Sequence, residues 1–99
     1  MISLVRTGAI APGKGVAAAA FAQKIVDYWK NTYDRELQLL RPIGGNPNRI
    51  AWVARYKDLA EYDAVSVKSL ADPKYLELLA TGGDLWIAGS IHDQLWRSA

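Results

Sequence analysis

The stretch RPIGGNPNRIAWVARYKDLAEYD, from Arg41 to Asp63, holds a loop, a strand and the start of a helix in direct succession. Gly44–Asn48 supplies residues that tolerate positive φ and a proline that fixes one backbone torsion. Ile50–Lys57 is rich in aromatic and β-branched residues, which favours a strand. A glycine loop that binds phosphate is followed by a helix, whose amide groups point at the anion. Because a strand follows here, we predict a hairpin turn and no anion site.

Outward from this stretch, the sequence marks the ends of two helical segments. Asp58 is a favourable N-cap residue, and Glu61 stands three positions later, as in a variant of the capping box. Asp72 offers a second N-cap, and Pro73 follows at the first helical position, where an N–H is not needed. The pair Gly82–Gly83 then ends the helix. We therefore predict a helix that starts at Asp58 and a restart at Asp72.

The other elements complete a β-α-β-β-α-β order. The patterns predict strand one at Ile2–Ile10, a helix at Lys14–Tyr33, strand two at Glu36–Ile43, strand four at Leu85–His92 and a tail at Asp93–Ala99. This is the split βαβ order of the ferredoxin-like fold, an α+β fold whose four-stranded antiparallel sheet carries its helices on one face. The length predicts one domain, residues 1–99.

The predicted strands are apolar on both faces. Strand three alternates Trp52 and Tyr56 on one side with Ala51 and Val53 on the other, and strand four has the same character. A sheet with one wet face would instead alternate apolar with polar residues. Because helices cover only one face, we expect a second copy to cover the other, which gives a homodimer through the open sheet face. A well-filled monomer core is the alternative.

Composition excludes several classes of function. The net charge is only +2 and the basic residues form no stripe, so neither nucleic acid nor an anionic membrane is expected as a partner. With no cysteine and one histidine, the chain offers neither thiolate chemistry nor a clustered metal site. No run approaches the roughly 20 apolar residues of a membrane span, and no signal-peptide pattern is present. These features predict a soluble cytoplasmic protein.

Four motifs carry a resemblance to a known family: APGK (Ala11–Lys14), GGNPNRIAWVARYKDLAEYD (Gly44–Asp63), ADPKY (Ala71–Tyr75) and LWIAGSIHDQLW (Leu85–Trp96). Together they resemble the dimeric α+β barrel superfamily, closest to its NIPSNAP-like branch. The resemblance implies two sheets packed face to face across a two-fold axis, with a mostly apolar cavity in each subunit. Relatives include cofactor-independent monooxygenases, haem-degrading monooxygenases and isomerases. The haem-degrading type is disfavoured, because its strand asparagine and helix histidine have no counterparts here, and no cofactor is expected.

Three polar residues are candidates for chemistry. His92 is the one side chain that titrates near neutral pH without perturbation, so we predict it as the catalytic base. Arg55 and Arg41 lie in otherwise apolar predicted strands, where an unpaired charge is costly. We predict Arg55 as a catalytic anion stabiliser and Arg41 as a ligand-binding residue. The alternatives are a partly exposed histidine at a strand end and arginines that pair with carboxylates.

Three aromatic residues are candidates for the walls of a binding site. Trp52, Tyr56 and Trp86 could stack on a flat apolar ligand, and the alternation of strand four places His92 on the face of Trp86. Alternatively, these aromatic rings fill the core of the dimer. An RNA-recognition strand would need a glycine and a further aromatic residue, which NRIAWVARY (Asn48–Tyr56) lacks.

Two functions remain open from the sequence. The first is a homodimer that binds a hydrophobic, aromatic small molecule and acts as a cofactor-independent monooxygenase or isomerase, with a dry pocket and one base. The second is a non-catalytic ligand-binding or assembly module, which fits the shortage of catalytic groups. Nothing in the sequence names the ligand or the reaction.

Overall fold

A computed structural model describes residues 1–99 as one four-stranded sheet and three helices. The elements are β1 (Ile2–Ala9), α1 (Gly15–Tyr33), β2 (Gln38–Leu40), β3 (Arg49–Tyr56), α2 (Leu59–Leu70), α3 (Pro73–Thr81) and β4 (His92–Arg97). The sheet is antiparallel throughout, in the order β2-β3-β1-β4. The predicted ferredoxin-like α+β fold is confirmed, with its second helical region divided into α2 and α3.

The register of the central strand β1 defines two faces of the sheet. Residues that are directly opposed in an antiparallel pair share a face. Leu4 pairs with Ala54 of β3 and with Leu95 of β4, and these residues lie on the helix side. Val5, next along the strand, pairs with Val53 and therefore lies on the other side, which we call the open face.

Helix α1 packs on the sheet through one apolar stripe, because its buried residues recur at three- and four-residue spacing. These residues are Ala18, Phe21, Ala22, Ile25 and Trp29. The helix ends at Asp34, which adopts the left-handed conformation (φ 51°) and donates its backbone N–H to the carbonyl of Trp29. No helix of the chain is both long and apolar enough to cross a lipid bilayer.

Aspartate caps start the two later helices, as the sequence predicts. The Asp58 carboxylate accepts the backbone N–H of Glu61 at 2.9 Å, at the start of α2. The Asp72 carboxylate accepts the backbone N–H groups of Lys74 and Tyr75 at 3.1 and 3.4 Å, at the start of α3. Pro73 occupies the first turn of α3. Both caps satisfy amide groups that the helices themselves leave unpaired.

The loop that follows β2 joins paired antiparallel strands, so the predicted hairpin is confirmed. Strand β2 is shorter than predicted, since only Gln38–Leu40 pairs with β3. Within the loop, Gly45 has a φ of 71°. The side chain of Asn46 accepts the backbone N–H of Asn48 at 2.9 Å, which is an Asx turn.

The predicted fourth strand, Leu85–His92, is wrong: the strand runs from His92 to Arg97. Between the bridge Ile10↔Trp86 and the pair Thr7↔His92, β1 has two residues and the other chain segment has five. A turn from Ile87 to Ser90, with Gly89 at a φ of 76°, interrupts the extended conformation. The apolar residues before His92 therefore belong to a segment that leaves the sheet, which a count of hydrophobic residues does not distinguish from a buried strand.

Candidate functional site

A cavity of about 270 Å³ lies between the helix side of the sheet and the helices. Its floor is formed by β1 and β3, through Leu4, Arg6, Trp52, Ala54 and Tyr56. These positions share one face by the strand register. The indole N–H of Trp52 donates to the backbone carbonyl of Ala22 in α1 at 3.4 Å, which fixes this ring beneath the helix.

Helices α1 and α3 form the roof, through Phe21, Ile25, Trp29, Tyr75 and Leu79. The turn after α3 completes it, and here the backbone of Gly82 lies directly against the ring of Phe21. A Cβ atom at Gly82 would overlap that ring, so only glycine allows this approach without movement of the neighbour. Most of the lining is apolar, and a ligand here would exchange water for hydrocarbon contacts.

The segment Leu85–Ile91 closes one end of the cavity. Trp86 packs edge-on against Trp52, with ring centroids 5.5 Å apart, and the side chain of Ile91 also lines the space. The segment comes this close because β1 has glycine at position 8: a Cβ atom there would be 2.8 Å from Cδ1 of Ile91. Gly8 therefore allows the segment Leu85–Ile91, which forms the end wall of the cavity, to pack directly on the sheet.

Backbone hydrogen bonds hold this end wall to the end of β1. Ala11 donates to the carbonyl of Leu85 at 2.8 Å, and Ile87 donates to the carbonyl of Ala9 at 2.9 Å. The hydroxyl of Ser90 adds two contacts with Ala9: it accepts the N–H at 3.1 Å and donates to the carbonyl at 3.3 Å. The segment is thus irregular but attached at several points.

Arg6 is the one charged residue that lines the cavity. Its guanidinium donates two hydrogen bonds to Asp93 of β4, at 2.6 and 2.8 Å, in a bidentate pair between directly opposed residues. Both side chains are about two-fifths exposed, at 43% and 40%, so the pair stands where the cavity meets solvent. The hydrogen bonds from Arg6 hold the pKa of Asp93 below its usual range.

The tryptophan of the roof carries a buried hydrogen-bond donor. Trp29 is only 8% exposed, and its indole N–H makes no hydrogen bond of normal geometry. This N–H lies near the hydroxyl of Tyr75. Burial raises the pKa of Tyr75, and the Trp29 N–H and the positive charge of Arg6 partly oppose that rise. A buried donor without a partner is uncommon and calls for an explanation.

Asp72 fixes the roof behind these residues. Its second carboxylate oxygen accepts the phenolic hydrogens of Tyr28 and Tyr33, at 2.5 and 2.7 Å. These hydrogen bonds lower the pKa of Asp72. The ring of Tyr28 stacks on that of Tyr75 with centroids 5.5 Å apart, and Tyr33 stands edge-on to Trp29 at 5.1 Å. Through Tyr28 and Tyr33, the Asp72 carboxylate therefore also orients the rings of Tyr75 and Trp29, which line the cavity.

Arg35 makes a second set of polar contacts beside the floor of the cavity, near Tyr56. The guanidinium of Arg35 lies 4.6 Å from the centroid of the Tyr56 ring and donates to the carboxylate of Glu61 and to the backbone carbonyl of Arg55. The hydrogen bond from Arg35 and a further one from the backbone of Lys57 lower the pKa of Glu61. Tyr56 is 1% exposed, and this burial raises its pKa.

The structure separates the residues that the sequence proposes for one site. The aromatic residues Trp52, Tyr56 and Trp86 line the cavity together. His92 and Arg55 do not: His92 pairs with Thr7 on the open face, and Arg55 is exposed on that same face. The guanidinium of Arg55 donates to the side chain of Gln38 at 3.2 Å. The sheet thus lies between the predicted catalytic pair and the aromatic walls.

The expectation that His92 shares a face with Trp86 is wrong, because the turn before His92 breaks the alternation on which it depends. Arg41 lies outside the strands, exposed in the loop after β2. No group of three or more His, Cys, Asp or Glu side chains is arranged to hold a metal ion.

Sequence reasoning missed Arg6, Trp29 and Tyr75 as members of one site. A signal for Arg6 was present, since it is the one charge among the alternate residues of strand one that face the helices. The spacing of Trp29 along α1 indicates a buried core position and nothing more. That its N–H has no partner depends on packing between helices, which no local pattern encodes.

The comparisons with known proteins agree with this architecture. No protein family model and no curated protein matches the sequence. An uncharacterised NIPSNAP domain protein from Burkholderia xenovorans matches the structure with a TM-score of 0.83 at 18% identity, over 100% of this chain and 95% of that one. A NIPSNAP family protein of unknown function from Agrobacterium tumefaciens matches with a TM-score of 0.83 at 18% identity, over 100% and 88% of the two chains. This chain has the NIPSNAP fold.

The fold is also similar to that of a proposed antibiotic biosynthesis monooxygenase from Deinococcus radiodurans, with a TM-score of 0.75 at 9% identity over 100% of this chain and 93% of that one. The resemblance predicted from the sequence motifs, to NIPSNAP-like dimeric α+β barrels, is thereby confirmed for the fold. At these identities the likeness concerns the path of the chain alone. Activity has to be argued from the cavity itself.

Proposed function

We propose that the chain binds a small, flat, largely aromatic molecule in the cavity between sheet and helices. The observation that supports this proposal is the lining of the cavity. It is mostly apolar, it contains one charged side chain, and its aromatic residues include Trp52, Tyr56, Trp29 and Trp86. Ligand sites are typically apolar clefts of this kind with few polar groups. At about 270 Å³, the space is just below the roughly 300–1,000 Å³ of sites for drug-sized ligands, which favours a ligand of one or two fused rings.

We further propose that two copies associate through the open face, as the dimeric barrel fold of the structural neighbours suggests. Trp96 and Leu40 support this, since the strand register places both on that face and they are 59% and 41% exposed. A second sheet would cover them and would also enclose His92 and Arg55. Their predicted catalytic roles would then require a site between the two sheets, separate from the cavity.

The reaction class that fits is isomerisation, or oxygenation in which molecular oxygen reacts directly with a substrate that readily loses a proton, in a pocket that excludes water. The monooxygenase among the structural neighbours supports this choice. The alternative is a non-catalytic binding or assembly module. It is favoured by the position of His92, because the cavity contains no side chain that titrates near neutral pH without perturbation.

Calorimetric titration with methyl 2-naphthoate, a neutral two-ring probe, tests the binding proposal. We expect saturable binding to the wild type and its loss in Ala54→Leu, which fills the cavity from the floor. Ala20→Leu, at an exposed position of α1, is the matched control and should bind normally. Equal binding by both variants, with thermal unfolding confirming that both are folded, would exclude the cavity as the site.

A further inference from the structure

We infer that the cavity selects an aromatic acid, a ligand whose ring system fills the apolar space while its carboxylate replaces Asp93 on Arg6. This inference rests on the proposed function and names its substrate class. Arg6 carries the one charge of the lining, and its guanidinium presents the planar, bidentate donor geometry that a carboxylate fits. In the structure, the Asp93 carboxylate occupies that position.

The Arg6–Asp93 pair is suited to exchange because it is exposed. With side chains 43% and 40% accessible, the pair stands at the mouth of the cavity, where solvent weakens its attraction. Asp93 itself does not line the cavity, and every position of β4 is exposed. A ligand carboxylate can therefore approach Arg6 from the cavity side, while the released Asp93 side chain rotates outward into the solvent.

The remaining polar groups of the lining point to the same chemistry. Trp29 lines the cavity, and its buried indole N–H makes no hydrogen bond of normal geometry. Tyr75 lines the cavity beside Trp29, with ring centroids 5.9 Å apart. These groups favour an acceptor oxygen on the ligand, and they leave a ligand ammonium group without a counter-charge inside the cavity.

The test compares 2-naphthoate with its neutral methyl ester by calorimetry at neutral pH. A charge-assisted bidentate contact should favour the acid by about ten-fold or more in the wild type. Arg6→Gln should abolish that preference yet retain affinity for the ester, which shows that the cavity is intact. Asp93→Asn should raise affinity for the acid, because the competing carboxylate is gone. Arg49→Gln, in β3 on the open face, is the matched control and should retain the preference.

The two substitutions at the ion pair separate recognition from simple damage. Arg6→Gln and Asp93→Asn break the same contact, so a purely structural role would change acid affinity in the same direction in both. Opposite changes support the inference. Equal binding of acid and ester by the wild type, or an unchanged preference in Arg6→Gln, would overturn it while the proposed function stands. Failure of both probes to bind the wild type would instead reject the proposed function.

Discussion

The hydroxyl of Tyr33 donates to the carboxylate of Asp72 at 2.7 Å, and this bond joins the last turn of α1 to the first turn of α3. The same oxygen accepts the Tyr28 hydroxyl, while the other oxygen caps α3. One side chain thus sets both the start of a helix and its position against its neighbour. Because Tyr75 lies in the first turn of α3 and lines the cavity, the shape of the roof depends on this carboxylate.

Asp72 should make stability depend on pH in acid. The hydrogen bonds from Tyr28 and Tyr33 lower its pKa in the folded state. Its contribution is therefore complete above the unfolded-state pKa, near 3.9, and is lost as the pH falls through the folded-state value. We expect Asp72→Asn to melt below the wild type at pH 7 and the two melting curves to converge in acid. A constant difference in melting temperature from pH 7 to pH 2 would contradict this.

Tyr33→Phe provides the control for that experiment. It removes one donor to Asp72 but leaves the cap of α3 in place. Alone, Tyr33→Phe should lower the melting temperature, whereas in the Asp72→Asn background it should have a smaller effect, since the two residues share one interaction.

Gly82→Ala should destabilise the fold by about 1–3 kcal/mol, the usual cost of forcing extra atoms into a packed site. The new methyl group would overlap the ring of Phe21. Gly83→Ala is the matched control, because a Cβ atom there meets only the carbonyl oxygen of Ala80, at an ordinary 3.7 Å. Urea unfolding of the two variants measures the difference. Similar free energies of unfolding would mean that Phe21 moves aside without cost.

Trp96→Glu should convert the proposed dimer into a monomer. The matched control is Leu95→Glu, its neighbour in β4, because Leu95 lies on the helix side and is similarly exposed, at 48% against 59% for Trp96. Only the first variant places a charge in an interface through the open face. Native mass spectrometry gives the oligomeric state. A monomeric wild type, or the same response in both variants, would reject this interface.

His92→Ala should leave the affinity of the cavity for methyl 2-naphthoate unchanged, since His92 is on the opposite face of the sheet. A loss as large as that expected for Ala54→Leu would contradict this placement. The sequence hypothesis of a catalytic base adds a separate expectation, that turnover falls far more than affinity. Once a substrate is known, comparison of turnover and affinity in this variant tests that role.

The sequence predicts the fold well wherever local chemistry decides it. Asp58 and Asp72 are caps whose bonds depend on residues two or three positions away, and both form as expected. The aromatic and β-branched residues of the predicted strand Ile50–Lys57 likewise identify β3, which runs from Arg49 to Tyr56. These features depend on neighbours in the chain, so the pattern of residues is sufficient evidence.

The site is predicted less well, because it depends on contacts between distant residues. The apolar run before His92 has the composition of a strand. Its turn at Gly89 and its packing on Gly8 depend on contacts with β1, which the local sequence does not encode. That displacement moved His92 to the other face. The pairing of Arg6 with Asp93 spans nearly the whole chain.

The five residues between Trp86 and His92 stand opposite two residues of β1, with paired residues on either side. Residues can therefore be inserted or deleted within this excursion while the pairing of β4 stays in register. Such changes would lengthen, shorten or reshape one wall of the cavity and leave the sheet as it is. In this architecture, the shape of the cavity can diverge during evolution through a short segment that lies outside the sheet.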